Sequence, residues 1–319
     1  MACAKYYGCD TAGMKDADLK QKLSVLSDTV QILFNQNMSA HTTFCTGGDA
    51  AAFVCIETIG QLITVLKTIQ QSGIQSTVIG RGSNLLVSDK GYDGVIIKLG
   101  YGFNQITINK NKIYADAGCS LRNVCATAIK NGLAGLEFAG GIPGSVGGGI
   151  MMNAGAYGGE LSDFVTAVKV LTPDLTVKDL TARDMDFSYR HSCIAKKEYI
   201  VLGAEFTLDY GESAASQKKM DDFNARRREK QPLTFASAGS TFKRPTGYYA
   251  GALIEQCGLK GCRKNQAQVC DKHAGFIINL GGAASQDIYT LIKQVQHIVF
   301  EKTGVFLEPE ITFLGDFDD

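Results

Sequence analysis

The feature that most constrains the fold is a run of glycines in the middle of the chain. Between Phe138 and Gly159 the sequence reads FAGGIPGSVGGGIMMNAGAYGG, in which nine of 22 residues are glycine. Glycine loses more backbone entropy on folding than any other residue, about 0.5 to 1 kcal/mol relative to alanine in regular structure. Two interpretations explain this cost equally well. In the first, bare backbone lies against a flat ring system or a diphosphate. In the second, a loop passes between two packed sheets and needs small residues for that reason.

Composition predicts a soluble globular protein of two or three domains, with 319 residues of which 45% are hydrophobic and 20% charged. The 32 basic and 32 acidic residues cancel, which argues against a broad surface for nucleic acid or membrane. The ten cysteines include no pair of CxxC sites, so we expect reduced thiols and no metal site. Because the N-terminus lacks the pattern of a signal peptide and no apolar run approaches 18 residues, we expect a cytoplasmic protein.

The periodicity of apolar residues divides the chain into an extension and three units. Residues 1–36 are predicted to form a helical extension, because apolar residues recur at helical spacing: Leu19, Leu23, Leu26, Val30 and Leu33. Residues 37–100 are predicted to form a small sheet with a helix from Ile59 to Gln71, to which residues 312–319 return.

The second and third units differ in composition. Residues 101–212 predict two hairpins and a helix with its N-cap at Ser120 and its end at Asn131-Gly132. Residues 213–311 begin with a highly charged helix and end with an apolar-striped helix capped at Ser285, followed by a last strand through Glu310. In the charged helix, the run Arg226–Arg228 with Lys230 is interpreted as a solvated face that is also able to gather phosphate.

The segment VIGRGSNLLVS is the first candidate site. After a strand that ends at Ile79, Gly80 to Asn84 form a tight turn, and successive backbone N–H groups in such a turn are able to bind phosphate oxygens. The segment begins like GxGxxG, but Leu85 stands where the third glycine belongs and no helix is predicted after it. From spacing alone, a phosphate site and an ordinary hairpin turn both remain open.

The segment SAGSTFKRP contains the second candidate, Ser240, followed by the basic residues Lys243 and Arg244. No GxSxG motif surrounds this serine, and the four histidines include no evident triad partner, so a hydrolase is disfavoured. A hydroxyl is able instead to deliver a proton to a developing carbanion. An ordinary loop serine is the alternative, and residues such as Arg190, His273 and Glu310 are, taken singly, more often structural than catalytic.

Taken together, these segments resemble the UDP-N-acetylenolpyruvoylglucosamine reductases, from about Thr43 to Gly315. The motifs that carry the resemblance occur in family order: HTTFCTGG, GRGSN, LEFAGGIPGSVGG, MNAGAYGG, YRHS, SAGSTFKRP, AGALIEQCGLKG, KHAGFIIN and LEPEI. The resemblance implies an α+β fold in which two subdomains of the vanillyl-alcohol-oxidase type hold FAD between them. A C-terminal α+β domain is then expected to bind the substrate.

The resemblance also implies a reaction and its residues. NADPH would supply a hydride through FAD to the alkene carbon of the enolpyruvyl UDP-sugar, giving UDP-N-acetylmuramate for peptidoglycan synthesis. Arg190 and Glu310 correspond to the residues that stabilise the charge on the adjacent carbon, and Ser240 corresponds to the residue that protonates it. A monomer that acts on this small molecule is expected.

The positions that correspond to ligand contacts follow from the same motifs. Those expected to contact FAD are Gly80, Arg81, Gly82, Ser83, Asn84, Gly141, Pro143, Gly144, Ser145, Gly148, Asn153, Gly155, Ala156 and Tyr157. Those expected to contact the substrate are Tyr189, Lys230, Lys243, Arg244 and His273.

Two departures from the family pattern are visible. The interval between YRHS and SAGS is too short for the extra loop with which one subclass covers its substrate, so the chain resembles the shorter subclass. Lys264, Asn265, Gln266 and Ala267 stand where Ile-Gly-Gly-Ala is usual. Two other functions remain as alternatives: a flavin oxidase of the same fold, although the flavin-facing segments lack a histidine tether, and a non-catalytic nucleotide- or flavin-binding protein.

Overall fold

The computed structural model describes residues 16–26 and 28–318. The helices in this part of the chain are α1 (Asp16–Ser24), α2 (Ile59–Ser72), α3 (Leu121–Lys130), α4 (Val146–Met151), α5 (Cys193–Lys196), α6 (Ser213–Lys230), α7 (Ala250–Gln256) and α8 (Ser285–Thr303). The strands are β1 (Gln31–Asn37), β2 (Asp49–Ile56), β3 (Ser76–Ile79), β4 (Leu85–Val87), β5 (Tyr92–Leu99), β6 (Ile106–Asn109), β7 (Lys112–Asp116), β8 (Leu133–Ala134), β9 (Gly155–Ala156), β10 (Gly159–Glu160), β11 (Val165–Leu171), β12 (Val177–Thr181), β13 (Ile200–Thr207), β14 (Asp209–Tyr210), β15 (Arg263–Lys264), β16 (Ala267–Val269), β17 (Ile277–Asn279) and β18 (Thr312–Leu314).

The first sheet has the order β1-β2-β5-β3, with β1 antiparallel to β2 and the other pairs parallel. Helix α2 covers one face of it, and the helix begins as predicted because Thr58 and Gln61 form a capping box. Alternate residues of β5 point to opposite faces, so that Val95 lies in the core under α2 and Ile96 lies in a second cluster with β4 and β18. Both faces of this sheet are therefore buried around Val95 and Ile96.

The predicted N-terminal helix is correct only in part. Residues 1–15 lie outside the described residues, and α1 ends at Ser24. The helical spacing of apolar residues in the sequence continues to Leu33. Residues 31–37 nevertheless form a strand that pairs with β2 and alternates between exposed and half-buried positions. Pairing with an existing sheet edge therefore prevails over a weak local helical pattern.

The second sheet is entirely antiparallel, in the order β12-β11-β13-β7-β6. It contains both predicted hairpins, and α3 packs on it with the Ser120 hydroxyl accepting a hydrogen bond from the Asn123 N–H, as predicted for an N-cap. The glycine-rich segment follows α3 and runs through a short 3₁₀ helix, Glu137–Gly141, into α4.

The third sheet, β15-β16-β17, packs against α7 and α8. The predicted apolar stripe on α8 is confirmed, because each of its members is fully buried: Ile288, Leu291, Ile292, Val295 and Val299. The predicted cap at Ser285 is wrong, since Ser285 is the first helical residue. Instead the Asp89 carboxylate, from the loop after β4, accepts hydrogen bonds from the Ser285 and Gln286 N–H groups at 2.9 and 2.8 Å.

The segment that departs from the family pattern forms the turn between β15 and β16. Asn265 adopts a left-handed conformation with φ +48°, which asparagine tolerates better than most residues. Its side chain donates a hydrogen bond to Asp287 on α8 at 2.8 Å. Glycine is therefore not required at this turn.

No helix within the described ranges has the length and the apolar character needed to cross a lipid bilayer.

Candidate active site

The centre of the site is an ion pair between Arg190 and Glu310. Arg190 lies in a tight turn with φ +56°, and its Nε donates to Glu310 Oε1 at 2.6 Å. Its Nη2 donates to the carbonyl of Gly155 in the glycine-rich segment at 3.3 Å. The two side chains are 19% and 12% exposed, so the pair is largely shielded from water. Shielding strengthens their attraction relative to an ion pair on the surface.

The environment of Glu310 raises the pKa of its carboxyl group above the ordinary value. Burial raises the pKa of Glu310, and the charge and hydrogen bond of Arg190, with a smaller contribution from Lys243, oppose that shift without cancelling it. A carboxyl group with a raised pKa beside a guanidinium is able to exchange a proton and to donate a hydrogen bond to a developing anion.

Ser240 lies on a loop that pairs with the chain around Glu310. The Glu310 N–H donates to the carbonyl of Thr241 at 2.8 Å, and Phe242 and Pro309 form a β-bridge. Ser240 is exposed, whereas Thr241 is fully buried. The structure therefore places the Ser240 loop beside the Arg190–Glu310 pair, with the serine side chain open to solvent.

Two segments with free backbone N–H groups meet next to this centre. In the part of the chain that the structure describes, the N–H groups of residues 81–84 donate to no protein acceptor, and neither do those of Gly144 and Ser145. The segments touch at Gly80, where an added Cβ would overlap the Ser145 hydroxyl. A concave surface with several unpaired N–H groups is suited to phosphate oxygens.

Helix α6 packs along the glycine-rich segment. A Cβ on Gly140 would lie 2.6 Å from Met220 Sδ, and one on Gly141 would lie 2.6 Å from Asn224 Oδ1. Between these two residues on α6, the ring of Phe223 stacks on that of Tyr157, with centroids 4.7 Å apart and planes at 3°. The close approach of α6 therefore explains part of the glycine content without any ligand.

Arg227 departs from the solvated face predicted for the basic run. Its neighbours Arg226 and Arg228 are exposed, but Arg227 is half-buried and its Nη1 donates to the carbonyl of Gly141. Its Nε is buried and has no hydrogen-bond partner among the described residues. The helical period explains the difference, because residue 227 is on the same face as residues 220, 223 and 224.

Asn153, a predicted cofactor contact, is held by hydrogen bonds within the protein. It is fully buried, its Nδ2 donates to the Ser188 carbonyl at 3.2 Å, and its Oδ1 accepts from the Ser162 N–H at 3.0 Å. The amide therefore ties the glycine-rich segment to the turn that carries Arg190. Pro143, Gly148 and Tyr157, by contrast, are exposed, and Gly155 and Ala156 are half-buried in β9.

Tyr189 and Arg244, both expected to contact the substrate, lie together. The Tyr189 hydroxyl accepts a hydrogen bond from the Arg244 N–H at 3.2 Å, and the Arg190 guanidinium stacks on the Tyr189 ring at 5.0 Å. The Arg244 guanidinium lies over Tyr249 at 4.6 Å. The exposed side chains of Tyr189, Arg244 and Tyr249 thus form an aromatic and basic rim beside the Arg190–Glu310 pair.

The other expected substrate contacts are more dispersed. Lys243 forms an ion pair with Glu308 at 2.6 Å, and Lys230 is exposed at the end of α6. His273 accepts a hydrogen bond from the Gly275 N–H on Nδ1 at 3.1 Å, and burial lowers its pKa. The Gly275 carbonyl accepts from the Thr241 N–H, so the His273 turn adjoins the Ser240 loop.

Comparison with known proteins identifies the family. A model described as the C-terminal domain of UDP-N-acetylenolpyruvoylglucosamine reductase matches residues 231–314, and one described as an FAD binding domain matches residues 50–181. A protein of that reductase name from Caldicellulosiruptor saccharolyticus is 46% identical over 91% of this chain and 94% of its own. The chain belongs to the UDP-N-acetylenolpyruvoylglucosamine reductase family.

Further relatives agree with this family. The reductase of the same name from Clostridioides difficile is 43% identical over 95% of this chain and all of its own length. The crystal structure of the reductase from Thermus caldophilus superposes with a TM-score of 0.77 at 31% identity, over 90% of this chain and 99% of that one. The chain is therefore an FAD-dependent oxidoreductase, and the predicted α+β architecture with FAD-binding and C-terminal domains is confirmed.

The chain's own residues fit FAD. The unpaired N–H groups of residues 81–84 and 144–145 are available for a diphosphate, and Gly148 and Gly158 leave space where a side chain would otherwise project. The individual contacts remain predictions. The sequence did not indicate that Arg227 turns inward and donates to the Gly141 carbonyl. Only the helical period of α6, together with the position of the glycines, would have indicated this contact.

Proposed function

We propose that this protein reduces the enolpyruvyl ether of UDP-N-acetylglucosamine to UDP-N-acetylmuramate, with NADPH as the reductant. The observation that carries the proposal is the largely shielded Arg190–Glu310 pair beside the exposed Ser240, next to the segments that fit FAD. FAD, when bound, would supply the hydride-transfer chemistry between the nicotinamide and the alkene.

The chain's residues act on the carbon that becomes negatively charged when its neighbour accepts a hydride. Arg190, which is positively charged and shielded, stabilises that charge as it spreads into the carboxylate of the enolpyruvyl group. Glu310 accepts a hydrogen bond from Arg190 and, when it carries a proton, donates one to the same anion. Ser240 then delivers the proton to carbon, and its exposed position leaves room for the substrate.

Binding of the nucleotide part is assigned to the aromatic and basic rim. Tyr189, Arg244 and the more distant Lys230, Lys243 and His273 are proposed to contact the diphosphate and the sugar. Cations placed along a cleft also attract an anionic substrate and increase its local concentration. We assign FAD to residues 37–212 with 312–319 and the substrate to residues 213–311, in a protein that acts as a cytoplasmic monomer.

Replacement of Ser240 tests the proposal. In Ser240→Ala we expect reduction of the flavin by NADPH to proceed at the wild-type rate. Reoxidation by the enolpyruvyl substrate should slow by about 10² to 10⁴, the usual contribution of a positioned general acid. Stopped-flow absorbance of the flavin separates the two half-reactions.

Ser237→Ala, in the same loop, is the matched control and should reoxidise normally. Reoxidation of Ser240→Ala at the wild-type rate would remove this serine from the mechanism. A wild-type protein that binds the UDP-sugar but whose flavin NADPH does not reduce would support the non-catalytic alternative instead.

A further inference from the structure

Asn84 connects the turn that fits the cofactor phosphates to the catalytic glutamate. Its side-chain Nδ2 donates a hydrogen bond to the backbone carbonyl of Glu310 at 2.9 Å and also lies 3.2 Å from Met152 Sδ. Its own carbonyl accepts from the Thr312 N–H at 2.9 Å. The amide side chain is therefore directed at Glu310, and the backbone N–H of Asn84 is left for a ligand.

The backbone of Glu310 is held on both sides by these contacts. Its N–H donates to the Thr241 carbonyl, next to Ser240, and its carbonyl accepts from Asn84. The carboxyl group then needs only its side-chain torsions to be fixed, and the Arg190 Nε contact at 2.6 Å does this. Loss of the Asn84 donor would leave the Glu310 carbonyl without that partner. The backbone of Glu310 would then keep only the contact of its N–H with the Thr241 carbonyl.

We propose that Asn84 is a positioning residue that sets the geometry of Glu310 through its backbone, so that the phosphate-binding turn and the proton-transfer centre form one unit. This inference rests on the proposed function. It assigns the Asn84 side chain to Glu310 and not to FAD.

The two half-reactions distinguish this role from a general structural one. Reduction of the flavin by NADPH does not use Glu310, whereas reoxidation by the enolpyruvyl substrate does. In Asn84→Ala we expect the second to slow by about 10- to 100-fold more than the first, as misplacement of a catalytic group by about 1 Å typically causes. FAD affinity, measured by fluorescence quenching on the apoprotein, reports separately on the turn, whose backbone N–H groups the substitution leaves in place.

A double-mutant cycle adds a second readout. If Asn84 acts through Glu310, Asn84→Ala should slow reoxidation in the wild-type background and have no further effect in Glu310→Gln. Additive losses would show that Asn84 acts on something else. Asn84→Ser, whose hydroxyl is too short to span the same gap, should reproduce the selective loss if Asn84→Ala is poorly folded.

Three results would overturn the assignment. Equal slowing of both half-reactions, weaker FAD binding with no selective loss, or failure of both variants to retain FAD would each show that the side chain serves the cofactor or the turn. If the wild-type flavin is not reoxidised by the substrate, the proposed function fails. If the wild type turns over and Asn84→Ala matches it in both half-reactions, only the role of Asn84 fails.

Discussion

Two glycine-rich segments border the site, and their glycines are required for different reasons. In the turn at residues 80–84, Gly82 adopts φ +63°, and a Cβ there would overlap the carbonyl of His41. In the segment at residues 138–159, by contrast, Gly140, Gly141 and Gly149 meet protein side chains, and Gly144, Gly148 and Gly158 have no neighbour closer than 3.6 Å to an added Cβ.

This difference shows that glycine density alone does not locate a ligand. The closest neighbours of Gly140 and Gly141 lie on helix α6 and not on two packed sheets, and the contact of the more open glycines with a ligand stays a prediction. The surroundings of each missing side chain separate the two kinds of glycine: close protein atoms indicate packing, and open space indicates a surface where a ligand fits.

Gly82→Ala should have the largest effect. The substitution combines a left-handed backbone with overlap against the His41 carbonyl, and we expect a loss of about 3 kcal/mol or more in the free energy of unfolding of the apoprotein. Gly73 is the matched control, since it also has φ +63° but no atom within 4 Å of an added Cβ. Gly73→Ala should lose only about 1 to 2 kcal/mol in urea denaturation. Equal losses would mean that the left-handed conformation alone, without the overlap against the His41 carbonyl, sets the cost of the substitution at Gly82.

Gly141→Ala should have an intermediate effect. The new methyl would lie 2.6 Å from Asn224 Oδ1 on α6, and overpacking of this kind costs roughly 1 to 3 kcal/mol. Adding Asn224→Ala removes the obstructing atom, so the double variant should recover most of the stability that Gly141→Ala loses. Urea unfolding of the single and double variants measures this coupling, and purely additive losses would contradict packing of Gly141 against α6.

Gly148→Ala should have the smallest effect on stability and the opposite sign. Gly148 is exposed in α4, and alanine in a helix is more favourable than glycine by roughly 0.5 to 1 kcal/mol, so the apoprotein should become slightly more stable. FAD affinity should nevertheless fall, because the methyl would occupy the open surface. Fluorescence titration of apoprotein with FAD checks this, and unchanged affinity would remove Gly148 from the cofactor contacts.

Sequence reasoning succeeded wherever the determinant was local. The N-cap at Ser120, the helix that begins at Ile59 and both hairpins of the second sheet follow from residues within a few positions of each element. The Arg190–Glu310 contact, in contrast, joins residues 120 positions apart, and only resemblance to a family indicated it.

The errors share a physical cause. The cap of α8 comes from Asp89, which is 196 positions away, and β1 forms because β2 offers it an edge to pair with. Asn153 stays a predicted cofactor contact, and its amide already forms hydrogen bonds with two backbone partners. Sequence patterns indicate which groups are present, and the tertiary contacts decide which of them remain free to bind a ligand.

The pairing of β4 with β18 also bears on the order in which the molecule becomes functional. The only ladder that β4 forms in the described structure is with residues 312–314, and β4 directly follows the turn at residues 80–84, the proposed phosphate site. We therefore expect the flavin to be acquired only after residues 312–314 have joined β4, and a chain cut after Ile311 to yield colourless protein.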